Sequence, residues 1–225
     1  MDPVGGDMSA LLKERDRLKN TSTTNNSDFD RDGFLVIKNI IDTSFVDEKI
    51  PKTHGMFYQH RDGYWFNSGD EDMYPCRHSR YKHPMFEDVH YQVKSLLETK
   101  LGKKLYPTYW VDRYYFDGAN LEAHMDRESC EVSVSIQLRS NLKRPWSFGI
   151  ENGENMPVLL KLNDGDGVVY KGCERIHWRG KFPKEYDTNW MGREKKREGL
   201  YHHQLFLHYV LQDGQRSHHA WDRLR

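Results

Sequence analysis

The sequence predicts a mostly β fold with supporting helices, built around a double-stranded β-helix (jelly roll). From Tyr109 onward the spacing of apolar residues changes from about 3.6 to 2, and short strand-like segments follow one another. Turn signals such as Asp117-Gly118 and Asn152-Gly153 separate these segments. The helical patterns come before most of the strands, which favours a barrel or sandwich that helices brace on one side.

The chain of 225 residues is predicted to hold one main domain. Residues 1–27 contain a short charged helix pattern at 9–19 and the polar run NTSTTNNS at 20–27. Because that run has no apolar residue to bury, we expect 1–27 to be a flexible N-terminal segment. A single folded domain is then expected over 28–225.

The helices and the first strand are predicted between residues 34 and 102. The apolar run 34–41 follows a turn and predicts a strand, and the Asp/Thr/Ser cluster at the start of 42–50 predicts a helix. Residues 53–73 carry no clear period and are expected to be irregular. The segment 84–102 has apolar residues on one helical face and Gly102 after the last turn, which predicts the best helix of the chain.

The strands of the jelly roll are predicted from the period of 2. One charged stretch, 182–199, interrupts them and is expected to be an inserted mobile loop. The predicted strands are Tyr109–Phe116, Ala123–Met125, Val132–Leu138, Trp146–Ile150, Val158–Lys161, Gly167–Tyr170, Arg175–Arg179 and Tyr201–Leu211.

Composition excludes several classes of protein. The 34 basic and 34 acidic residues cancel, so no global field favours nucleic acid or an anionic membrane. No run of about 18 apolar residues exists, and the N-terminus lacks the pattern of a secretory signal. The three cysteines are widely spaced and odd in number, which is typical of reduced thiols. We therefore expect a cytoplasmic protein without nucleic-acid or membrane partners; the oligomeric state stays open.

An H-x-D triplet is the main candidate for metal chemistry, and it occurs twice. Chance predicts about one copy in a chain of this composition. His60-Arg61-Asp62 precedes Gly63 in the irregular stretch, which favours a loop histidine and a turn aspartate. His124-Met125-Asp126 enters the β region, and on a strand residues i and i+2 point to the same side.

A third ligand is expected at His177. Iron(II) in oxygenases is commonly held by two histidines and one carboxylate on one face. Four predicted strands separate Asp126 from His177. A jelly roll that carries H-x-D after its second strand and the last histidine on its seventh needs that number, which favours His124, Asp126 and His177 as the metal site.

Residues 29–213 resemble the iron(II)/2-oxoglutarate-dependent oxygenases, in particular the prolyl-4-hydroxylase-like branch and its marine viral and algal relatives. The matching segments are DGFLVIKNII, YYFDGANLEAHMD, VSVSIQL, LNDGDGVVYKGCERIHWR and HHQLFLHYVLQDG. The resemblance implies a jelly roll, Fe(II) held by His124, Asp126 and His177, 2-oxoglutarate as cosubstrate, and O2.

The cosubstrate site departs from the pattern of that family. A basic residue on the last core strand usually binds the far carboxylate of 2-oxoglutarate, and here the matching residue is His202. Arg179 is the first candidate, since it lies two residues from His177 and offers a bidentate fork. Tyr115 matches the family tyrosine of the pocket. Gln137 is expected to point inward and to hydrogen-bond the carboxylate.

The resemblance implies a hydroxylase that acts on an unactivated C–H bond of an amino acid or peptidyl residue and releases succinate and CO2. Desaturation or cyclisation of a small molecule, a non-catalytic jelly-roll binding module, a nucleic-acid demethylase and a cupin-type dioxygenase are the alternatives. A small molecule or a peptide fits as substrate. The candidates for the substrate wall are Trp65, Asn67, Arg77 and Arg80.

Overall fold

The computed structural model describes residues 28–46, 55–59, 65–67 and 76–222, with the backbone alone at 55–59 and 65–67. The predicted flexible segment 1–27 and the triplet His60-Arg61-Asp62 lie outside these residues. The described helices are α1 (Asp28–Asp32) and α2 (Glu87–Leu101), with 3-10 turns at Pro84–Phe86, Glu128–Cys130 and Ser217–His219. The strands are β1 (Phe34–Ile37), β2 (Gly55–Gln59), β3 (Trp65–Asn67), β4 (Arg77–Tyr81), β5 (Leu105–Tyr115), β6 (Leu121–His124), β7 (Val132–Ser140), β8 (Phe148–Glu151), β9 (Pro157–Leu160), β10 (Gly167–Lys171), β11 (His177–Arg179), β12 (Tyr186–Thr188), β13 (Glu194–Lys196) and β14 (His202–Leu211).

Two sheets form the jelly roll. The major sheet has eight strands in the order β1-β10-β7-β14-β5-β4-β2-β3, and the minor sheet has four in the order β6-β11-β8-β9. All pairs are antiparallel except β2 with β4. The predicted fold class is confirmed, and strands β7 to β10 are the four that the prediction placed between Asp126 and His177.

The two faces of the major sheet differ in chemistry. On β7, Val132, Val134, Ile136 and Leu138 point to one face and belong to the large apolar core. The alternate residues Ser133 and Ser135 are also fully buried and face His208 and Phe206 of β14 across the strand pair. The period of 2 thus builds an apolar outer face and a polar inner face that lines the barrel.

Helix α2 covers the apolar face of the major sheet. Val89, Val93 and Leu97 lie on one side of the helix and are buried in the same core as β7. Gly102 ends the helix with φ of 63°, the left-handed conformation that favours glycine. The helix predicted at 84–102 is therefore confirmed, and its first turn is a 3-10 turn.

Three local predictions were wrong. The strand predicted at 34–41 ends at Ile37. Of the helix predicted over 42–50, the described residues 42–46 are not helical, the Asp42 carboxylate accepts from the backbone N–H of Ser44 at 2.9 Å in a local turn, and 47–50 lie outside the described residues. The stretch 53–73 was expected to be irregular, but it holds β2 and β3.

The insertion 182–199 also differs from the expected loop, because β12 and β13 pair within it as a two-stranded hairpin. Glu185 accepts from the backbone N–H of Lys143 at 2.7 Å and pairs with Arg197. These contacts attach the base of the hairpin to the segment between β7 and β8. Among the described residues, no helix is long and apolar enough to cross a membrane.

Candidate metal centre

His124 and His177 face each other across the β6–β11 pair. The two residues are direct partners in the antiparallel register, and their ring centroids lie 4.3 Å apart. The Nε2 atoms lie 3.6 Å and 3.5 Å from Asp126 Oδ1. One ligand atom from each of the three residues lies within 4.8 Å of the others, as a metal site requires. The structure therefore brings together the three residues predicted as metal ligands.

Backbone carbonyls fix the orientation of both imidazoles. His124 Nδ1 lies 2.8 Å from the Glu122 carbonyl oxygen, and His177 Nδ1 lies 2.9 Å from that of Arg175. Because a carbonyl only accepts, each Nδ1 carries the proton in the neutral ring, and each Nε2 keeps its lone pair toward Asp126. This arrangement is the usual one for histidines that bind a metal through Nε2.

Asp126 is held as an ionised carboxylate. Burial opposes its charge, but the electrostatic attraction of His177 and the hydrogen bonds of His124 and His177 outweigh burial and hold the pKa of Asp126 well below its usual value. Ser133 Oγ donates to Asp126 Oδ2 at 2.7 Å, which leaves Oδ1 directed at the histidines. His208 Nδ1 lies 2.9 Å from the same hydroxyl and can donate to it.

Gly172 brings a backbone loop against this carboxylate. Its carbonyl accepts from the Asp126 N–H at 2.8 Å. A Cβ built at Gly172 would lie 2.2 Å from the Cys130 carbonyl oxygen and 2.6 Å from Asp126 Oδ2. Only glycine fits at this position without displacing the Asp126 carboxylate.

Arg179 forms the second feature of the site. It lies two residues after His177 on the same side of β11, so the two side chains are separated by about 6.6 Å along the strand. The side chain is 2% exposed, and its guanidinium donates to the Trp146 carbonyl and to Gln204 Oε1, the latter at 2.9 Å. No carboxylate of the described residues pairs with it. Burial lowers the pKa of Arg179 to about 10.

His202 joins the same polar cluster. Its Nε2 lies 2.6 Å from Gln204 Oε1, and its Nδ1 is buried without a hydrogen-bond partner. Burial and the charge of Arg179 hold the pKa of His202 well below its usual value, so the ring is neutral at pH 7. His202 can accordingly add a hydrogen bond near Arg179 but no positive charge.

Tyr115 lies beside the Arg179 cluster, whereas the amide of Gln137 is directed elsewhere. The Tyr115 ring is buried edge-on against Trp146, 5.1 Å between centroids. Gln137 Nε2 instead donates to Asp164 in the turn before β10, at 2.9 Å. The inward amide of the cluster is Gln204, which bridges Arg179 and Ser135 and which the sequence analysis missed.

A cavity of about 140 Å³ opens onto the three candidate ligands. Arg113 of β5 lines it, and the sequence analysis missed this residue too. Arg80, expected in the substrate wall, instead binds Asp112, with Nε 2.9 Å from Oδ2. Since Asp112 and Arg113 are adjacent on a strand, that pair lies on the opposite face of the sheet from the cavity. The prediction for Arg80 is wrong.

A larger cleft of about 610 Å³ lies near the C-terminal end of α2. Its basic residues are neutralised: Lys103 pairs with Asp30 at 2.7 Å, Lys171 with Glu174 at 3.8 Å and Arg216 with Glu131 at 3.2 Å. It therefore lacks the uncompensated charge that marks the cluster at Arg179.

No protein-family model and no curated protein matches the sequence. Solved structures do match the fold. The non-heme alpha-ketoglutarate-dependent epimerase SnoN of nogalamycin biosynthesis aligns with a TM-score of 0.53 and 11% identity, over 91% of this chain and 84% of SnoN. SnoN in complex with Fe3+, alpha-ketoglutarate and nogalamycin RO aligns with a TM-score of 0.50 and 9% identity, over 90% and 85%.

A prolyl-4-hydroxylase of Pseudomonas putida aligns with a TM-score of 0.50 and 12% identity, over 88% of this chain and 98% of that enzyme. The alignments extend over most of both chains, so they concern the whole fold. The chain therefore has the double-stranded β-helix fold of the iron(II)/2-oxoglutarate oxygenases.

Proposed function

We propose that the chain is an iron(II)- and 2-oxoglutarate-dependent oxygenase that hydroxylates an unactivated C–H bond of an amino acid or a peptidyl residue. The observation that carries the proposal is the convergence of His124 Nε2, His177 Nε2 and Asp126 Oδ1 within 4.8 Å. Two imidazoles and one carboxylate match the ligand set of non-heme iron oxygenases, which leaves coordination positions open for other ligands.

The donor atoms of the three residues are in a chemical state that suits iron(II). Both histidines present Nε2 with the proton on Nδ1, and the carboxylate is ionised and supported by Ser133. Metal ligands must be deprotonated, which the ionised Asp126 carboxylate already is, and each imidazole in its neutral form offers Nε2. His124, Asp126 and His177 are the residues that would hold the metal.

Arg179 supports 2-oxoglutarate as the cosubstrate. Its fully buried guanidinium pairs with no carboxylate of the described residues, which is costly, and its Nε has no hydrogen-bond partner among them either. A dicarboxylate that binds near His177 through one end can place its other carboxylate on Arg179. Tyr115 and Gln204 border this position and can orient the ligand, and Trp146 separates it from water.

Iron(II), 2-oxoglutarate and O2 together supply an oxidation that releases succinate and CO2 and leaves one oxygen atom for the substrate. The protein residues bind, orient and exclude water. SnoN carries iron and alpha-ketoglutarate on the same fold, and the Pseudomonas putida enzyme is a prolyl hydroxylase; both support the proposal by analogy.

The direct test is turnover with iron(II), 2-oxoglutarate and 18O2 in the presence of free amino acids and proline-containing peptides. The proposal expects succinate in stoichiometric amounts and a product heavier by one 18O atom. If succinate forms together with an unsaturated or cyclised product that lacks 18O, the reaction is desaturation or cyclisation and not hydroxylation. No succinate from an iron-loaded chain with any of these substrates would contradict the proposal.

A further inference from the structure

A second arginine lies inside the barrel, and no carboxylate in the described part of the chain pairs with it. Arg113 belongs to the inward row of β5, where it pairs in register with Gln204 of β14 and Ser79 of β4. It lines the cavity of about 140 Å³ together with His124, Asp126 and His177. Arg80 and Arg127 bind Asp112 and Asp222, whereas Arg113 has no acidic partner among the described residues.

The contacts of Arg113 leave one edge of its guanidinium open. Nε donates to Ser79 Oγ at 2.7 Å, and Nη1 donates to the Tyr115 hydroxyl at 3.3 Å. The group packs over the rings of Tyr115 and Phe206, with Cζ 5.7 Å and 5.5 Å from their centroids. Of the five N–H donors, one on Nη1 and two on Nη2 have no acceptor among the described residues. That edge presents two parallel donors, the geometry that a carboxylate accepts in a bidentate pair.

The barrel thus holds two arginines with no acidic partner among the described residues, and the carboxylate of 2-oxoglutarate that would pair with Arg179 is not available to Arg113. Arg179 is fully buried beside Trp146, while Arg113 is partly exposed on the cavity wall. The buried guanidinium of Arg179 suits a cosubstrate that is enclosed before the substrate arrives. The more exposed guanidinium of Arg113 suits the substrate, which enters last.

We infer that Arg113 binds a carboxylate of the substrate, so that the substrate class is a small carboxylic acid, free amino acids included. The inference rests on the proposed function and narrows it, since a residue inside a protein chain has no α-carboxylate to offer. The bidentate pair fixes the position of the acid relative to the metal ligands in the same cavity. Arg113 acts by orienting the reacting carbon and takes no part in binding the metal.

The test uses the full chain, loaded anaerobically with iron(II) and 2-oxoglutarate. The probes are the N-acetyl derivatives of the proteinogenic amino acids, each as the free acid and as the primary amide. Dissociation constants are measured by titration calorimetry. At least one acid should bind roughly 10- to 100-fold more tightly than its amide, the range of a charge-assisted hydrogen-bonded pair.

The R113Q variant should remove this preference for the acid and change the dissociation constant of 2-oxoglutarate less than twofold. R113K should restore part of the preference, and the same charge change at the exposed Arg144 (R144Q) should leave it intact. A wild-type chain that binds every acid no better than its amide overturns the inference. So does an R113Q variant that loses affinity for 2-oxoglutarate as strongly as Arg179→Met, because Arg113 would then serve the cosubstrate.

These outcomes are separate from failure of the proposed function. If the wild-type chain binds neither iron(II) nor 2-oxoglutarate, the oxygenase proposal fails. The acid-against-amide comparison can still be made on the metal-free chain, where the Arg113-dependent preference for acids either appears and supports a carboxylate site or is absent and refutes it.

Discussion

Arg179 Nη2 lies 2.9 Å from Gln204 Oε1, and the guanidinium is bound by neutral groups alone within the described part of the chain. Gln204 holds this position because its own Nε2 donates to Ser135 Oγ at 2.8 Å and its Oε1 also lies 2.6 Å from His202 Nε2. A buried cation that neutral dipoles hold in place is preorganised for an anion. It also lowers the stability of the protein without that anion.

The R179M variant should therefore have opposite effects on binding and on stability. The dissociation constant of 2-oxoglutarate should rise by roughly 10- to 150-fold, since charged hydrogen bonds contribute about 1.5–3 kcal/mol. The free energy of unfolding of the ligand-free protein should rise by about 1–3 kcal/mol at pH 7, because a pKa lowered from 12.5 to about 10 corresponds to a cost of about 3 kcal/mol.

Urea unfolding and equilibrium dialysis measure the two quantities on the same samples. His202→Asn is the comparison variant, and it should weaken 2-oxoglutarate less than R179M does, because the neutral ring contributes no charge. The reverse order would give His202 the main role in holding the cosubstrate.

The metal ligands are tested by deletion. His124→Ala and Asp126→Ala should each weaken iron(II) or cobalt(II) binding by more than the roughly 10- to 100-fold that loss of an outer partner costs. Anaerobic equilibrium dialysis measures the affinity. His60→Ala removes the histidine of the other H-x-D triplet and should retain the metal; a His60→Ala variant that loses the metal would move the site to that triplet.

Ser133 should affect the affinity for the metal although it is not itself a ligand. Its hydroxyl donates to Asp126 Oδ2 at 2.7 Å, so Ser133→Ala frees that oxygen and should weaken metal binding by roughly 10- to 100-fold. Ser135→Ala is a matched control on the same face of β7, because Ser135 Oγ contacts Gln204 and not the ligands. Equal loss of metal in both variants would mean that the effect is one of packing.

His90 should make stability depend on pH. It is buried against Trp110 and Tyr209, its Nε2 lies 3.0 Å from the His208 carbonyl, and burial lowers its pKa to about 3. In the unfolded chain His90 takes up a proton near pH 6.5, and in the folded chain it does not. The stability that depends on a neutral His90 is therefore fully present above pH 6.5. It is lost as the pH falls toward 3.

Between pH 7 and pH 5 the loss from His90 is about 2 kcal/mol. Urea unfolding at the two pH values should give a loss of stability in the wild type that is smaller by about this amount in His90→Gln. The exposed His218 provides the control, and His218→Gln should keep the full difference. An unchanged difference in His90→Gln would mean that other groups set the pH dependence.

Alternation, the number of intervening strands and the resemblance to the oxygenases together predicted three ligands that the structure brings close to one another. His124, Asp126 and His177 could be selected because their spacing and the number of intervening strands follow from local patterns. Tyr115 predicts its i−2 neighbour Arg113 on the same face by the same rule, so that residue could have been found.

Other features depend on tertiary contacts that no local pattern encodes. Alternation predicts that Gln137 lies on the inner face, but it does not predict how far along the barrel its amide lies. That position depends on the β7–β14 register, which shifts between His203 and Gln204. Strand β4 has the sequence RHSRY, without apolar alternation, and forms by pairing with β5. The hairpin strands β12 and β13 are exposed throughout and bury no apolar face that could reveal them.

The most direct test of the metal and cosubstrate site is an anaerobic titration of the iron(II)-loaded chain with 2-oxoglutarate, followed by visible absorption. Coordination of the keto acid to iron(II) should produce a charge-transfer band that requires both components and saturates at one 2-oxoglutarate per chain. Asp126→Ala should abolish the band, and R179M should shift its half-saturation to higher 2-oxoglutarate. A wild-type chain that binds iron but gives no band, or an Asp126→Ala variant with an unchanged band, would contradict the assignment of the site.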